Sequence, residues 1–241
     1  MQSYREASVI FNKKIKDDIY FCKLKTKINA KAGQFFMLRC DSFRNSPLLS
    51  RPFGVCDQDD ESMSFLYQVK GVGTKILRDL KEGSKVKLLG PLGNGFDIKK
   101  EKKAAIVAGG IGIAPLLYLA KSLDLKADFY AGFSDEEYFT DYFKEYVNST
   151  TVTIDKKDKI FITDKIDTEK YDVIYACGPN QMLKTLANKN KNTEIQISME
   201  AHMACGIGAC LGCTVENSKG EFIRVCKEGP VFDSKEIFWW A

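Results

Sequence analysis

The stretch Cys205-Gly206-Ile207-Gly208-Ala209-Cys210-Leu211-Gly212-Cys213 is answered thirteen residues later by Cys226. Three thiols spaced C-x4-C-x2-C, with a distant fourth, come close to one of the spacings that ligate a [2Fe–2S] cluster. Glycine and alanine take four of the six intervening positions, because a backbone that curls around a cluster, with its amides aimed at the sulfurs, has little room for side chains. Four thiolates also suit a structural zinc ion, which is the alternative. Zinc more often sits between two short C-x2-C knuckles, whereas here three cysteines share one glycine-rich loop. The reading sets aside a small C-terminal segment for a one-electron centre. Everything upstream is left to hold whatever exchanges electrons with it.

The chain of 241 residues is long enough for one to three compact domains. Its 44% hydrophobic and 28% charged residues are ordinary for a soluble protein. A net charge of +4 with scattered lysines gives no basic stripe, so nucleic acid is not expected as a partner. Met1-Gln2-Ser3-Tyr4-Arg5-Glu6 lacks the apolar core of a signal peptide. The uncharged run 104–120 is broken by three glycines and Pro115, which fit a strand, turn and helix better than a membrane span. A cytoplasmic protein with no membrane partner is expected. The remaining cysteines, Cys22, Cys40, Cys56 and Cys177, read as small buried hydrophobes. With His202 as the single histidine, sites of several histidines are excluded.

Residues 1–99 alternate in short apolar and polar steps. Strands are predicted at 8–11, 19–24, 34–39, 53–56, 64–69 and 85–89, separated by glycines and Pro47, which suggests a small antiparallel barrel. Three features inside it bear chemistry. Arg51-Pro52-Phe53-Gly54 offers a cation for a phosphate and an aromatic ring for a flat cofactor. Leu66-Tyr67-Gln68-Val69-Lys70 leads into Gly71-Val72-Gly73-Thr74, a glycine turn opening a short helix, whose amides with the Thr74 hydroxyl make a seat for a pyrophosphate. Gly90-Pro91-Leu92-Gly93-Asn94-Gly95-Phe96 closes the barrel.

In this order, R-P-F, G-x-G-T and G-P-L-G-x-G-F resemble the FAD-binding barrel of the ferredoxin reductase superfamily. The resemblance implies that Arg51, Pro52, Phe53, Gly54, Leu66, Tyr67, Gln68, Gly73 and Thr74 hold FAD. Relatives usually carry a serine near flavin N5 where this chain has Gly54, so any donor there must be another group, such as the Gly54 amide or a nearby threonine.

Residues 100–199 change rhythm. Ala104-Ala105-Ile106-Val107-Ala108 reads as a buried parallel strand, Gly109-Gly110-Ile111-Gly112-Ile113-Ala114-Pro115 as a turn into a helix. Further strands are predicted at 127–132, 151–154 and 171–176, the last running into Cys177-Gly178-Pro179 and a second helix. Alternating strands and helices indicate a doubly wound parallel sheet with ligands at the carboxyl ends of the strands. The first loop is not the G-x-G-x-x-G fingerprint, since Pro115 stands at its last glycine. G-G-x-G-x-A-P and C-G-P-x-x-M again resemble the superfamily's pyridine-nucleotide half, which implies that Gly110, Gly112, Pro115, Cys177, Gly178 and Pro179 meet NAD. Asp135-Glu136-Glu137 follows the second strand, where carboxylates repel a 2′-phosphate and favour NAD over NADP. The same acids would also suit the start of a helix at Asp135. No basic partner for Cys177 is readable, so thiolate chemistry there is unsupported.

Residues 200–241 hold the cluster loop. Strands at 194–199, 214–216 and 222–225 are expected around it, the last two as a hairpin that returns the chain to Cys226. Trp239 and Trp240 either cover the cluster or anchor a partner. M-A-C-G-I-G-A-C-L-G-C, with G-P-V-F-D soon after the fourth cysteine, resembles the electron-transfer subunits of class 1B dihydroorotate dehydrogenase, over the whole chain and in the same domain order. That resemblance implies Cys205, Cys210, Cys213 and Cys226 as [2Fe–2S] ligands. It also implies a partner subunit that oxidises dihydroorotate to orotate on FMN, in pyrimidine biosynthesis, and a heterotetramer of two subunits of each kind. Electrons would pass from the cluster to FAD and on to NAD+, with no residue serving as a catalytic acid or base. A sister group, the small subunits of NADH-dependent ferredoxin:NADP oxidoreductases and sulfide dehydrogenases, shares the layout but typically has aspartate where this chain has Cys205. From a different class, a zinc-stapled nucleotide-binding protein remains the other reading.

Overall fold

The apolar alternation that begins at Ala7 and Val9 produces a first strand longer than the sequence predicts, β1 (Arg5–Lys16), paired antiparallel with β2 (Ile19–Lys25). The structure, a computed structural model, describes residues 3–43, 46–100 and 102–238. β3 (Phe35–Cys40), β4 (Arg51–Gly54), β5 (Asp57–Gln58), β6 (Ser62–Gln68), helix α1 (Val72–Arg78) and β7 (Lys85–Leu92) complete the first lobe. The strands form one sheet in the order β4-β3-β7-β1-β2-β6-β5.

Its closure has a single cause. β4 pairs with β3 at one edge and β5 pairs with β6 at the other. The two residues between them continue the ladders: Val55 N donates to Gln34 O at 3.0 Å and Cys56 N to Ser64 O at 2.9 Å. One run of chain therefore covers the outer sides of both β3 and β6 and draws the sheet round on itself. The predicted six strands become seven because the strand expected at 53–56 is two short ones meeting at this corner. Leu24, Phe36, Met63, Phe65 and Leu88 fill the interior.

In the second lobe β8 (Ala104–Gly109), β9 (Ala127–Phe133), β10 (Val147–Ile154), β11 (Val173–Cys177) and β12 (Glu194–Ser198) pair in parallel in the order β10-β9-β8-β11-β12. Every residue of β8 and β11 is buried, as continuous apolar runs require when both faces of a sheet are covered. Helices α2 (Leu116–Ser122), α3 (Asp155–Asp158) and α4 (Asn180–Lys189) connect them. From β8 the chain winds toward β10 and from β11 toward β12, so the strand order reverses between β8 and β11. The carboxyl ends of these two strands form the crevice in which such sheets bind ligands. No helix starts at Asp135. The chain turns there instead and makes a 3-10 turn at Thr140–Phe143, with Asp135 drawn to Lys156 and Glu136 to Lys16, the latter at 2.9 Å.

The last segment adds the hairpin β13 (Thr214–Glu216) and β14 (Phe222–Arg224), then β15 (Val231–Asp233) and α5 (Ser234–Ile237). β15 lies antiparallel to β12 and extends the sheet of the second lobe. The three parts share cores: Phe35 and Met37 of β3, Ile174 of β11 and Val225 beside Cys226 lie in one apolar cluster. Phe21 and Phe96 join Ile106 and Phe129 in another. Trp239 and Trp240 lie outside the described residues. Among those described, no helix is long and apolar enough to cross a membrane.

Candidate functional site

The cleft between the lobes is lined from three directions. The barrel gives Pro52, Phe53, Gly54, Leu66, Tyr67, Gln68 and Lys70, and the nucleotide sheet gives Ile111, Ala114, Pro115 and Cys177. The chain leading to the cluster loop gives Ser198, Met199, Glu200, Ala201 and Met203. Six of the nine residues expected at FAD and two of the six expected at NAD thus face one space.

On the barrel side, β4 carries Phe53 beside Tyr67 of β6, ring centroids 5.4 Å apart. The Tyr67 hydroxyl donates to Asn12 Oδ1 at 3.1 Å, and burial pushes its pKa well up, so the phenol stays protonated. Gln68 donates to Asp18 at 2.7 Å. Gly54 marks where the lobes touch: a Cβ there would lie 3.3 Å from Cβ of Pro115.

Arg51, Gly73 and Thr74 do not line the cleft but stand together behind it. A Cβ on Gly73 would lie 2.7 Å from Nε of Arg51, so the absence of a side chain lets the guanidinium lie against the start of α1. Arg51 donates to the carbonyls of Leu49 and Ser50 and pairs with no carboxylate among the described residues. The Thr74 hydroxyl accepts from the amides of Lys70 and Gly71 and donates to Gly71 O at 3.0 Å, so it braces the turn.

On the nucleotide side, Gly110, Gly112, Gly178 and Pro179 form the two loops at the ends of β8 and β11. Those loops touch. A Cβ on Gly112 would fall 2.4 Å from the Cys177 carbonyl oxygen, and one on Gly178 would fall 3.0 Å from Cα of Gly109. Cys177 is buried, and desolvation, then the charge of Glu200, push its thiol up to about 12 against the pull of a hydrogen bond with Ser198. Burial thus favours the protonated thiol at this position.

The cluster loop is held by left-handed backbone at Gly206 (φ +73) and Gly208 (φ +81). A Cβ on Gly206 would press 2.6 Å from Cγ of Met37, so the loop lies directly on β3. Among the described residues, no three histidine, cysteine or carboxylate side chains are gathered as tightly as one bound ion requires. The thiols are near enough to influence one another, Cys205 with Cys210 and Cys226 with both Cys213 and Cys205. Burial raises the Cys205 pKa, but the amides of Ile207, Cys210 and Ala209 and the Cys210 thiol together hold it at about 6. Gly208 N donates to Cys226 Sγ at 3.1 Å and Cys226 N to Cys213 Sγ at 3.4 Å.

Residues 200–238 match the family model described as the iron-sulfur cluster binding domain of dihydroorotate dehydrogenase B. Over 98% of its length the chain is 44% identical to the dihydroorotate dehydrogenase B (NAD(+)) electron transfer subunit of Clostridium acetobutylicum, covering 98% of that protein. The same subunit of Clostridium perfringens is 38% identical over 97% of this chain and 98% of its own. This chain belongs to the family of dihydroorotate dehydrogenase B electron transfer subunits.

The family read from the C-terminal motif is thereby borne out, and so is the fold. A solved NADH-dependent reduced ferredoxin-NADP oxidoreductase, from the sister group, superposes with a TM-score of 0.84 at 26% identity, covering 99% of this chain and 92% of its own. Phthalate dioxygenase reductase shares the fold at 19% identity, with a TM-score of 0.65. Within this dihydroorotate dehydrogenase B framework, Lys70, Ser198, Glu200 and Met203 are cleft residues that sequence reasoning did not assign. For the last three the one signal was position: 198–203 joins the last parallel strand to Cys205.

Proposed function

We propose that this chain carries electrons from an FMN-containing subunit that oxidises dihydroorotate to orotate, through a [2Fe–2S] cluster and FAD, to NAD+. The observation that carries the reading is the convergence of the barrel, the crevice at β8 and β11, and the run into Cys205 on one cleft. When bound, the cluster supplies one-electron steps, and the flavin joins them to two-electron hydride transfer. Cys205, Cys210, Cys213 and Cys226 would hold the cluster, and four thiolates spread this widely suit a two-iron centre better than a single zinc ion. Amides of Ile207, Gly208, Ala209, Cys210 and Cys226 already point at sulfur and would stabilise its negative charge. Phe53 and Tyr67 form an apolar wall for the flavin ring, while Arg51 and the amides that open α1 offer its pyrophosphate a seat. Glycines at 110, 112 and 178 bring backbone close to the dinucleotide, and Pro115 and Cys177 flank its nicotinamide end. Asp135 and Glu136 stand just past the end of β9, each paired with a lysine, so among the described residues this position offers a 2′-phosphate no unpaired cation, which supports NAD over NADP. The functional division is 1–99 for FAD, 100–199 for NAD and 200–241 for the cluster, in a cytoplasmic complex of two subunits of each kind.

The test is a co-purification followed by spectra and turnover. Anaerobically purified chain is expected to show flavin bands with a broad absorbance at longer wavelength, and to leave dihydroorotate untouched. Its natural partner should be an FMN protein that restores dihydroorotate:NAD+ activity. A colourless zinc protein, or dihydroorotate oxidation by the chain alone, would sink the reading. A glutamate synthase-like partner would move the chain to the sister group.

A further inference from the structure

Among the described residues, only two charged side chains line the cleft, Lys70 on the barrel side and Glu200 on the opposite wall. The position of Glu200 follows from the sheet. Cys177 ends β11 and pairs in parallel with Ser198, the last residue of β12. Glu200 lies two residues beyond Ser198, past the end of β12, and lines the cleft as an exposed residue. Its charge is felt at the Cys177 thiol. Among the described residues Glu200 has no hydrogen-bond or ion-pair partner, unlike Asp57, Asp135 and Glu136, each held by a lysine. An exposed carboxylate therefore borders the cleft that the carboxyl ends of the parallel strands share with Phe53 and Gly54 of the barrel.

A nicotinamide ring accepts a hydride, one proton with two electrons, at C4 and goes from a cation to a neutral ring. A carboxylate beside it attracts the first form and is indifferent to the second. We propose that Glu200 makes this cleft prefer the oxidised, cationic ring over the reduced one. The overall equilibrium of hydride transfer is unchanged, but the acceptor is loaded and the product released. Lys70 does not oppose this, because it faces the cleft from the barrel beside Gln68 and the α1 turn, where the flavin's phosphates are proposed to sit. The inference rests on the dinucleotide reading of the β8–β11 crevice.

Binding to the full, cofactor-loaded chain tests it without turnover. The ligands are NAD+, its 1,4,5,6-tetrahydro derivative (a neutral ring that donates no hydride readily) and ADP-ribose, which has no such ring. Glu200→Gln is expected to weaken NAD+ about three- to fivefold, the scale of one screened charge at close range. The tetrahydro derivative and ADP-ribose should be unchanged, Glu200→Asp should keep the preference, and added salt should shrink it. An unchanged ratio of NAD+ to tetrahydro affinity in Glu200→Gln, with ADP-ribose still bound, overturns this inference alone. Failure of ADP-ribose to bind the unmodified chain overturns the dinucleotide reading and this inference with it.

Discussion

Gly112 leaves no room for one methyl group, since the atoms a Cβ would strike belong to the backbone at Cys177 and Gly178, which have no rotamer to change. Gly112→Ala should therefore force the β8 and β11 loops apart, with a loss of about 3 kcal/mol, the upper part of the usual overpacking range, visible as a lowered Tm and weaker NAD binding. Gly54→Ser makes a useful contrast. Its Cβ would sit 3.3 Å from Pro115, where a shift of a few tenths of an ångström suffices, so the change should cost no more than about 1 kcal/mol. Equal losses for the two variants would refute the distinction between backbone and side-chain obstacles. The sequence made Gly112 legible as a turn residue. It did not show what the glycine avoids, because the obstacle is a strand end 65 residues away.

At the scale of elements, the tight connection from β5 to β6 is held by one carboxylate. Asp59 accepts from the Ser62 hydroxyl, Lys23 Nζ and Glu61 N, which together hold its pKa at about 2 against an ordinary 3.8. A pKa depressed by folding contributes stability that is complete above the unfolded value and lost as pH falls toward the folded one. The advantage of the parent chain over Asp59→Asn should thus be constant from neutral pH down to about 4 and fade by about 2. Its size is that of an exposed pair, about 0.5 kcal/mol, read from Tm across a pH series. A difference that grows on acidification would contradict the assignment. Elements built from local pattern were legible: β2, β8 and the β13–β14 hairpin fall within a residue or two of their predicted positions. The corner at residues 54–57 and the short β15 were not. Both are defined by partners far along the chain, Gln34 and Ser64 for the first and β12 for the second, and a few residues of strand carry no periodicity of their own.

For the molecule as a whole, the angle between barrel and nucleotide sheet is set by an aromatic seam that composition alone could not reveal. Phe21 of β2 meets Phe139 at 5.1 Å and Tyr142 at 5.6 Å, edge to face, and Phe11 of β1 at 5.5 Å. The ammonium of Lys13 lies over the rings of Phe11, Phe21 and Tyr142, and Phe139 is held at φ +67, a conformation bulky residues adopt only when their surroundings impose it. Lys121 adds a pair with Asp57 at 2.7 Å across the same boundary. Because Phe21 belongs to the core that contains Ile106 and Phe129, it couples the two lobes in one apolar unit. Phe21→Ala should cost about 3–5 kcal/mol, the range for a buried phenylalanine. The seam is shared, so the loss should also separate the lobes: calorimetry is expected to show one transition in the parent chain and two in the variant, with cleavage newly favoured near residues 99–103. A Tm that falls while unfolding stays a single transition, with no new cleavage, would show that Phe21 stabilises the barrel without fixing the lobes to each other.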